Sequence, residues 1–327
     1  MSRRLLALVC ALAAPLTAQA QPKTPTTTAD LEYGDPIHFR NITLVPIHGH
    51  AAGPFPRYTL LEAGLAARTF HVRERAGQSS EAQVASVEVK NQGKAPVFLL
   101  GGEMILGGKQ DRIIQSDAVI PADGKWHELA VFCVEQGRWQ GQKMEFEGGG
   151  AVAHLKLQEA AMSGQQDKVW AEVARKNQEH GTSSETQTYR RTIQNPKVRG
   201  QIAHYRSALE KLLPSSPSTG FIFAINGQIQ VADVFNNPLL FSDLREKLLS
   251  SYILEALEHQ IDADAKPLPK AAAAKFVGDS QAAPPSKSTV NGKARNVQKE
   301  DATHLGSETY DQDNGESIRS SYINKAK

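Results

Sequence analysis

Two apolar runs, residues 97–100 and 129–134, each lead straight into a cluster of groups able to do chemistry. The first cluster holds Gly101, Gly102 and Glu103, then Gly107, Gly108, Lys109, Gln110 and Arg112; the second is Glu135, Gln136, Gly137, Arg138 and Trp139. A carboxylate at the end of a buried strand loses solvation, which raises its pKa unless a cation pairs with it. Glu103 and Glu135 are therefore the candidate acid and base of a hydrolase or transferase. Lys109, Arg112 and Arg138 are candidate contacts for an anionic ligand, Gln110 for orienting it and Trp139 for packing against it. The same residues can instead close on one another as an ion-pair network that fixes a turn. Residue types alone leave both readings open.

Cys133 lies two residues before Glu135 and on the same face by strand alternation, so its thiol is a candidate reactive group if a cation stands beside it. A lone cysteine in an apolar run more often serves as a small buried hydrophobe. His127 shares that face but sits about 20 Å away along an extended strand, too far for a Cys–His pair. The glycines around 101–110 do not form a phosphate-binding loop. Gly108 intrudes before Lys109, Gln110 replaces the magnesium-holding hydroxyl, and Met104-Ile105-Leu106 is too apolar. They fit bulges or tight turns at the ends of a short strand over 103–106. His48-Gly49-His50 has no partner pattern for a metal, and the sequence specifies no cofactor.

The elements that must position these groups are read from periodicity. Residues 41–47 alternate as a strand, with Pro46 suggesting an edge or a strand end. Residues 59–67 fit a short helix with Thr59 and Glu62 at capping-box spacing. Residues 69–75 and 84–90 alternate again. The turn at 91–94 predicts a hairpin into residue 97, and Pro121-Ala122-Asp123-Gly124 a second one between 112–120 and 126–135. After Gly148-Gly149-Gly150 the pattern becomes helical over 167–179 and 197–213. A hairpin over 221–235 turns at Asn226-Gly227, and a helix starts at Asn237-Pro238. The fold class is α+β: an antiparallel β-rich first half (a sandwich or partly open barrel), then amphipathic helices and one hairpin. The expected domain spans 37–260, β-rich over 37–147 and helical with the hairpin over 151–260. A leader over 21–36 precedes it; a disordered linker over 261–306 and a tail over 307–327, which could dock through Tyr310, Ile318, Tyr322 and Ile323, follow it.

Arg3 and Arg4, an apolar stretch over 5–16 and Ala18-Gln19-Ala20 read as a cleavable signal peptide, with the mature chain starting near Gln21 in the periplasm or outside the cell. Removing those two arginines takes the formal net charge from +2 to zero. A balanced chain offers no electrostatic case for nucleic acid. No later run is apolar and long enough to span a membrane. Cys133 is the one cysteine left after processing, so no intramolecular disulfide forms. The expected partner is a small polar or anionic ligand, with a protein partner as the alternative if the domain is an interaction scaffold.

The runs Gly102-Glu103, Gly108-Lys109-Gln110-Asp111-Arg112, Pro121-Ala122-Asp123-Gly124 and Cys133 to Trp139 together resemble a bacterial family, the ARG and rhodanese-phosphatase-superfamily-associated protein domain. The similarity extends to the helix around Trp170, the Phe-Ile-Phe-Ala-Ile-Asn-Gly hairpin and the closing helix, covering roughly 41–257. The resemblance implies a shared site around Glu103, Lys109, Gln110, Arg112, Glu135, Arg138 and Trp139. The family's name implies an association with ADP-ribose or nucleotide metabolism.

Overall fold

A computed structural model describes residues 31–49, 54–75, 85–138, 145–213 and 217–325. The chain opens with β1 (Leu31–Tyr33), β2 (Ile37–Phe39), β3 (Ile42–Gly49), β4 (Thr59–Leu60), α1 (Leu61–Ala66), β5 (Phe70–Arg73) and β6 (Ser86–Asn91). It continues through β7 (Val97–Leu99), β8 (Glu103–Gly107), β9 (Arg112–Ile114), β10 (Ala118–Ile120), β11 (Trp126–Cys133) and β12 (Phe146–Val152). Next come α2 (Leu155–Met162), α3 (Gln166–Glu179), α4 (Arg190–Ile193), α5 (Pro196–Leu212), β13 (Gly220–Ile225), β14 (Gln228–Phe235) and α6 (Pro238–Ala256). Last are α7 (Lys270–Ala282), β15 (Pro285–Asn291), β16 (Ala294–Glu300), β17 (His304–Asp311) and β18 (Ser317–Asn324). The architecture is α+β with predominantly antiparallel sheets.

Among the described residues a nine-stranded sheet runs β1-β3-β13-β14-β18-β17-β16-β15, with β2 also on β3. Both its faces are buried, because both alternating sets along Phe221 to Ile225 are apolar. One face packs on α6 through Leu240, Phe241, Leu244, Leu248 and Tyr252. The other packs on α7 through Ala273, Phe276 and Val277. Each such large side chain contributes roughly 1.5–3 kcal/mol. A six-stranded sheet, β12-β8-β9-β11-β6-β5, encloses a second core of Phe70, Val87, Leu99, Ile105, Val131 and neighbours, while α2 and α3 cover its outer side over Met104, Ile113 and Phe132.

The Asn226-Gly227 turn has both central residues at positive φ (49° and 77°), as its hairpin requires. Asn237 caps α6 by accepting from Leu239 and Leu240. Other local expectations are corrected. Pro46 sits in an interior strand: β2 pairs with residues 42–44 and β1 with 47–49, so the missing N–H of Pro46 falls in the gap between them. Thr59 caps no helix; with Leu60 it forms a short parallel strand on β7, and Leu60 precedes α1 with no side-chain cap. The hairpin expected at 91–94 does not form, and of the second only its outer part does, residues 112–114 pairing antiparallel with 131–133. β6 pairs with β5 and β11, whereas β7 pairs with β10 and β4, so the turns at 91–94 and 121–124 carry the chain between sheets. The buried Asn91 side chain anchors that corner by donating to the carbonyls of Ala95 and Ile120.

The largest correction concerns 261–306. This stretch forms α7, β15, β16 and the start of β17, and β18 pairs with β14 in the centre of the nine-stranded sheet. Few large apolar residues are needed because buried charge holds the layer. Arg319 pairs with Asp117 at 3.0 Å and Asp233 at 2.6 Å, and Glu308 accepts from Tyr310 and Tyr322 and pairs with Lys299.

Candidate functional site

The glycine pairs around β8 are conformational requirements. Gly102 has φ +87°, and Gly108 has φ +52° with a Cβ position that would press into the Phe146 ring and the Glu74 carboxylate. The resulting turn delivers Gln110, Asp111 and Arg112 into the protein, all less than 3% exposed. The Asp111 carboxylate accepts from Gly107 N–H at 2.9 Å, from Arg190 at 2.7 and 3.0 Å, from Arg138 at 3.3 Å and from Thr188 at 3.1 Å. Glu135 accepts from Arg138 at 2.8 Å and from Asp111 N–H at 3.2 Å. Gln110 donates to the Glu135 carbonyl at 2.6 Å. Arg112, fully enclosed, donates to Glu74 at 3.2 Å and to the Gln110 carbonyl at 3.2 Å. The Lys109 backbone N–H binds the same Glu74 carboxylate at 2.8 Å.

This arrangement corrects the expected ligand pocket. Gln110 spends its amide donors internally, Arg112 commits its two terminal guanidinium nitrogens while its enclosed Nε has no partner among the described residues, and Arg138 neutralises Glu135 and Asp111; charges this deeply buried persist only when paired. Trp139 lies outside the described residues. Cys133 is fully buried opposite Arg112 in the β9–β11 register, and burial pushes its thiol up to about 11. A thiol so shifted is protonated at neutral pH, so proximity to the cluster does not make it a nucleophile.

Glu103 stands apart, at the opposite end of β8 and roughly 13 Å of strand from the loop that meets Glu135. It is 1% exposed, accepts from Leu100 N–H at 2.9 Å and pairs with Lys247 of α6 at 2.6 Å. Lys247 also binds Glu62 of α1. Burial, reinforced by the Glu62 charge, raises the Glu103 carboxyl above its ordinary range despite Lys247. Burial works against the Lys247 ammonium, yet the two carboxylates outweigh it and hold that group above its usual value. The triad therefore keeps Lys247 as a fixed cation, and Glu103 is the member poised to take up a proton. The structure does not assemble Glu103 and Glu135 as an acid–base pair.

Lys247 opens onto a cavity of about 800 Å³ between α5 and α6, floored by Gly150, Ala151 and Val152 of β12. Val152 pairs with Glu103 in the sheet, which puts the triad directly beneath this floor. Gly200 and Ala203 keep the α5 wall low, and Ile193, Ile202 and Leu254 supply apolar surface. Arg206 is held by Glu246 at 2.8 Å and by the Ser250 hydroxyl at 3.1 Å. Arg199 and Asp243 line the same cavity from opposite helices, and neither has an ion-pair or side-chain hydrogen-bond partner among the described residues. A second groove, of about 960 Å³, borders Glu62 and carries Arg73 stacked 3.8 Å over the half-exposed Trp126 ring.

Reading the sequence found Glu103 but missed Lys247, Arg199 and Asp243. One signal was available for Lys247: it interrupts a row at helical spacing that holds Leu240, Leu244 and Leu254, with the small polar Ser251 between, and a lysine on such a face needs a buried partner. A further enclosed network also gave no sequence signal. His154 receives the Tyr189 hydroxyl at 2.9 Å and reaches Glu172 at 2.7 Å, beside a Lys176–Glu255–Glu258 cluster. Among the described residues no group of three or more His, Cys, Asp or Glu is placed to hold a metal, and no helix is long and apolar enough to cross a membrane.

Nothing among curated proteins or solved structures matches the chain. A family profile, the ARG and Rhodanese-Phosphatase-superfamily-associated Protein domain, matches residues 30–323. The match takes in the whole nine-stranded sheet apart from its last residue, Asn324, and so extends well past the closing helix α6 to the C-terminal strands. With nearly its full length covered, the chain belongs to the ARG and Rhodanese-Phosphatase-superfamily-associated Protein domain family.

Proposed function

We propose that this is an exported ligand-binding module, and that its ligand, small and polar with at least one anionic group, lies in the cavity between α5 and α6. The observation that carries the reading is Arg199. In a cavity whose other cations, Arg206 and Lys247, are held by carboxylates, Arg199 faces the space with no ion-pair partner among the described residues. A guanidinium in that position receives a carboxylate or phosphate in the bidentate geometry that suits it. Ile193, Ile202 and Leu254 give the ligand apolar contact, the usual composition of a small-molecule site. Export rests on Arg3, Arg4, the apolar stretch after them and Ala18-Gln19-Ala20, and N-terminal sequencing of periplasmic material should begin near Gln21.

The test of binding is a thermal-shift screen of the purified protein against nucleotides, ADP-ribose, sugars, amino acids and peptidoglycan fragments. A ligand at 100 times its dissociation constant adds about 2.7 kcal/mol of stability, a visible shift in midpoint. The shift should vanish in Arg199→Ala while the unliganded melting temperature stays unchanged. A ligand whose shift survives that substitution would place the site elsewhere.

A further inference from the structure

We infer that the ligand class of the α5–α6 cavity is a zwitterion, a free amino acid or short peptide that carries both an ammonium and a carboxylate. The inference rests on the binding reading above and narrows it. Its basis is the charge left over once every internal pair is subtracted. Arg206 is matched by Glu246 at 2.8 Å, with Ser250 also on its guanidinium. Lys247 is matched by Glu103 at 2.6 Å and by Glu62. Among the described residues, the charged groups of this lining left without an ion-pair partner are Arg199 on α5 and Asp243 on α6. They do not pair with each other, although they line the same space from facing helices.

A purely anionic ligand satisfies Arg199 and leaves Asp243 opposing it; a purely cationic ligand does the reverse. Both side chains are solvent-exposed, and a molecule with both charges engages both walls at once, its carboxylate on Arg199 and its ammonium on Asp243. The lining argues against a nucleotide in the same way. Among the described residues it contains no aromatic side chain on which a base could stack, whereas Ala151, Ala203, Ile193, Ile202 and Leu254 suit the aliphatic body of an amino acid or peptide. Gly200 has open space where a Cβ would stand, so the α5 wall leaves room for a main chain to approach.

The experiment is isothermal titration of the purified protein with glycyl dipeptides spanning the common side chains, each also as its N-acetyl and its C-terminal amide form. Free dipeptides should bind. N-acetylation and amidation should each weaken binding about tenfold, the effect of one charge-assisted hydrogen bond. In Asp243→Asn the N-acetyl penalty should disappear while the amide penalty stays; in Arg199→Ala the reverse should hold. Acetylated forms binding as tightly as free ones would overturn the zwitterion while leaving Arg199 as an anion contact. A nucleotide or sugar bound in an Arg199-dependent way, with no dipeptide bound, would overturn the ligand class and keep the cavity. Binding by dipeptides that neither substitution changes would overturn both.

Discussion

The network around Asp111 and the cavity beside Lys247 are built from the same kinds of side chain, and they differ in what those side chains face. Around Asp111, the guanidinium groups of Arg112, Arg138 and Arg190 meet the carboxylates of Glu74, Asp111 and Glu135, with backbone N–H groups filling further acceptor sites. Beside Lys247, pairing is just as tight beneath the floor but stops at the walls, where Arg199 and Asp243 stay open. The motif that draws the eye in the sequence is thus the joint that fixes β8, β9 and the loop after β11. The group that faces open space comes from helices whose sequence reads as ordinary. Density of charged residues is a poor guide to function when burial forces those charges to pair.

The sharpest break of this comparison is Arg112→Met. With Glu74 left 5% exposed and without its cation, the loss should be about 3–5 kcal/mol, measured as a lower urea midpoint. Adding Glu74→Gln should return much of it, because the uncompensated charge rather than the lost contact causes the damage. If Arg112→Met melts like the parent, the network is not structural and the comparison fails.

Lys247→Met should cost less, about 1–3 kcal/mol, because Glu103 can take up a proton instead of remaining a buried unpaired anion. The sign is set by the raised carboxyl: the folded state holds its proton at pH values where the unfolded chain, near 4.5, has released it. Stability tied to protonated Glu103 is present below 4.5 and is lost as pH rises through the folded-state value. The cost of Lys247→Met should therefore be larger at pH 8 than at pH 5. A cost independent of pH would mean that Glu103 does not titrate in this range.

How far the sequence led follows the same division between paired and open groups. Periodicity found α3, α5, α6 and the β13–β14 hairpin, because each buries an apolar face whose spacing is visible locally. It failed over 261–306, whose strands join a layer held by Arg319 and by Glu308 with Tyr310 and Tyr322 rather than by large apolar residues, and the Arg319 partners Asp117 and Asp233 are remote in sequence. It also joined β6 to β7 and β10 to β11, since a turn motif states that the chain reverses without stating which sheet it enters. Glu103 was legible as a carboxylate ending an apolar run. Its partners were not, because Glu62 and Lys247 lie 41 residues before it and 144 residues after it and meet only through tertiary packing.

A third test separates the enclosed histidine from the triad by the direction of its pH response. Burial, helped by the nearby Lys176 charge, lowers the His154 pKa well below 6.5, so the folded state keeps the ring neutral where the unfolded chain protonates it. A base depressed in this way loses stability as pH falls below about 6.5, the opposite direction to Glu103. His180 and His259 are lowered by burial as well and add to the trend. Between pH 6.5 and 5.5 the His154 contribution should be about 1 kcal/mol. His154→Gln should flatten the fall in melting temperature over that interval, and an unchanged slope would remove His154 as its source.

The smallest effect is the one that bears most on function. Arg199→Ala and Asp243→Asn should each change stability by less than about 0.5 kcal/mol, because both side chains are exposed and make no ion pair among the described residues. That neutrality sets the cavity apart from the network around Asp111, where no arginine can be removed without leaving a buried carboxylate behind. Residues retained for folding should register in a melt without ligand, and residues that serve a ligand should register only when one is present. If Arg199→Ala lowers the urea midpoint as Arg112→Met does, Arg199 is pairing within the fold and the α5–α6 cavity loses its open cation. If it leaves the midpoint in place and abolishes a ligand-induced shift, the two regions divide the labour of the domain between holding its shape and meeting its ligand.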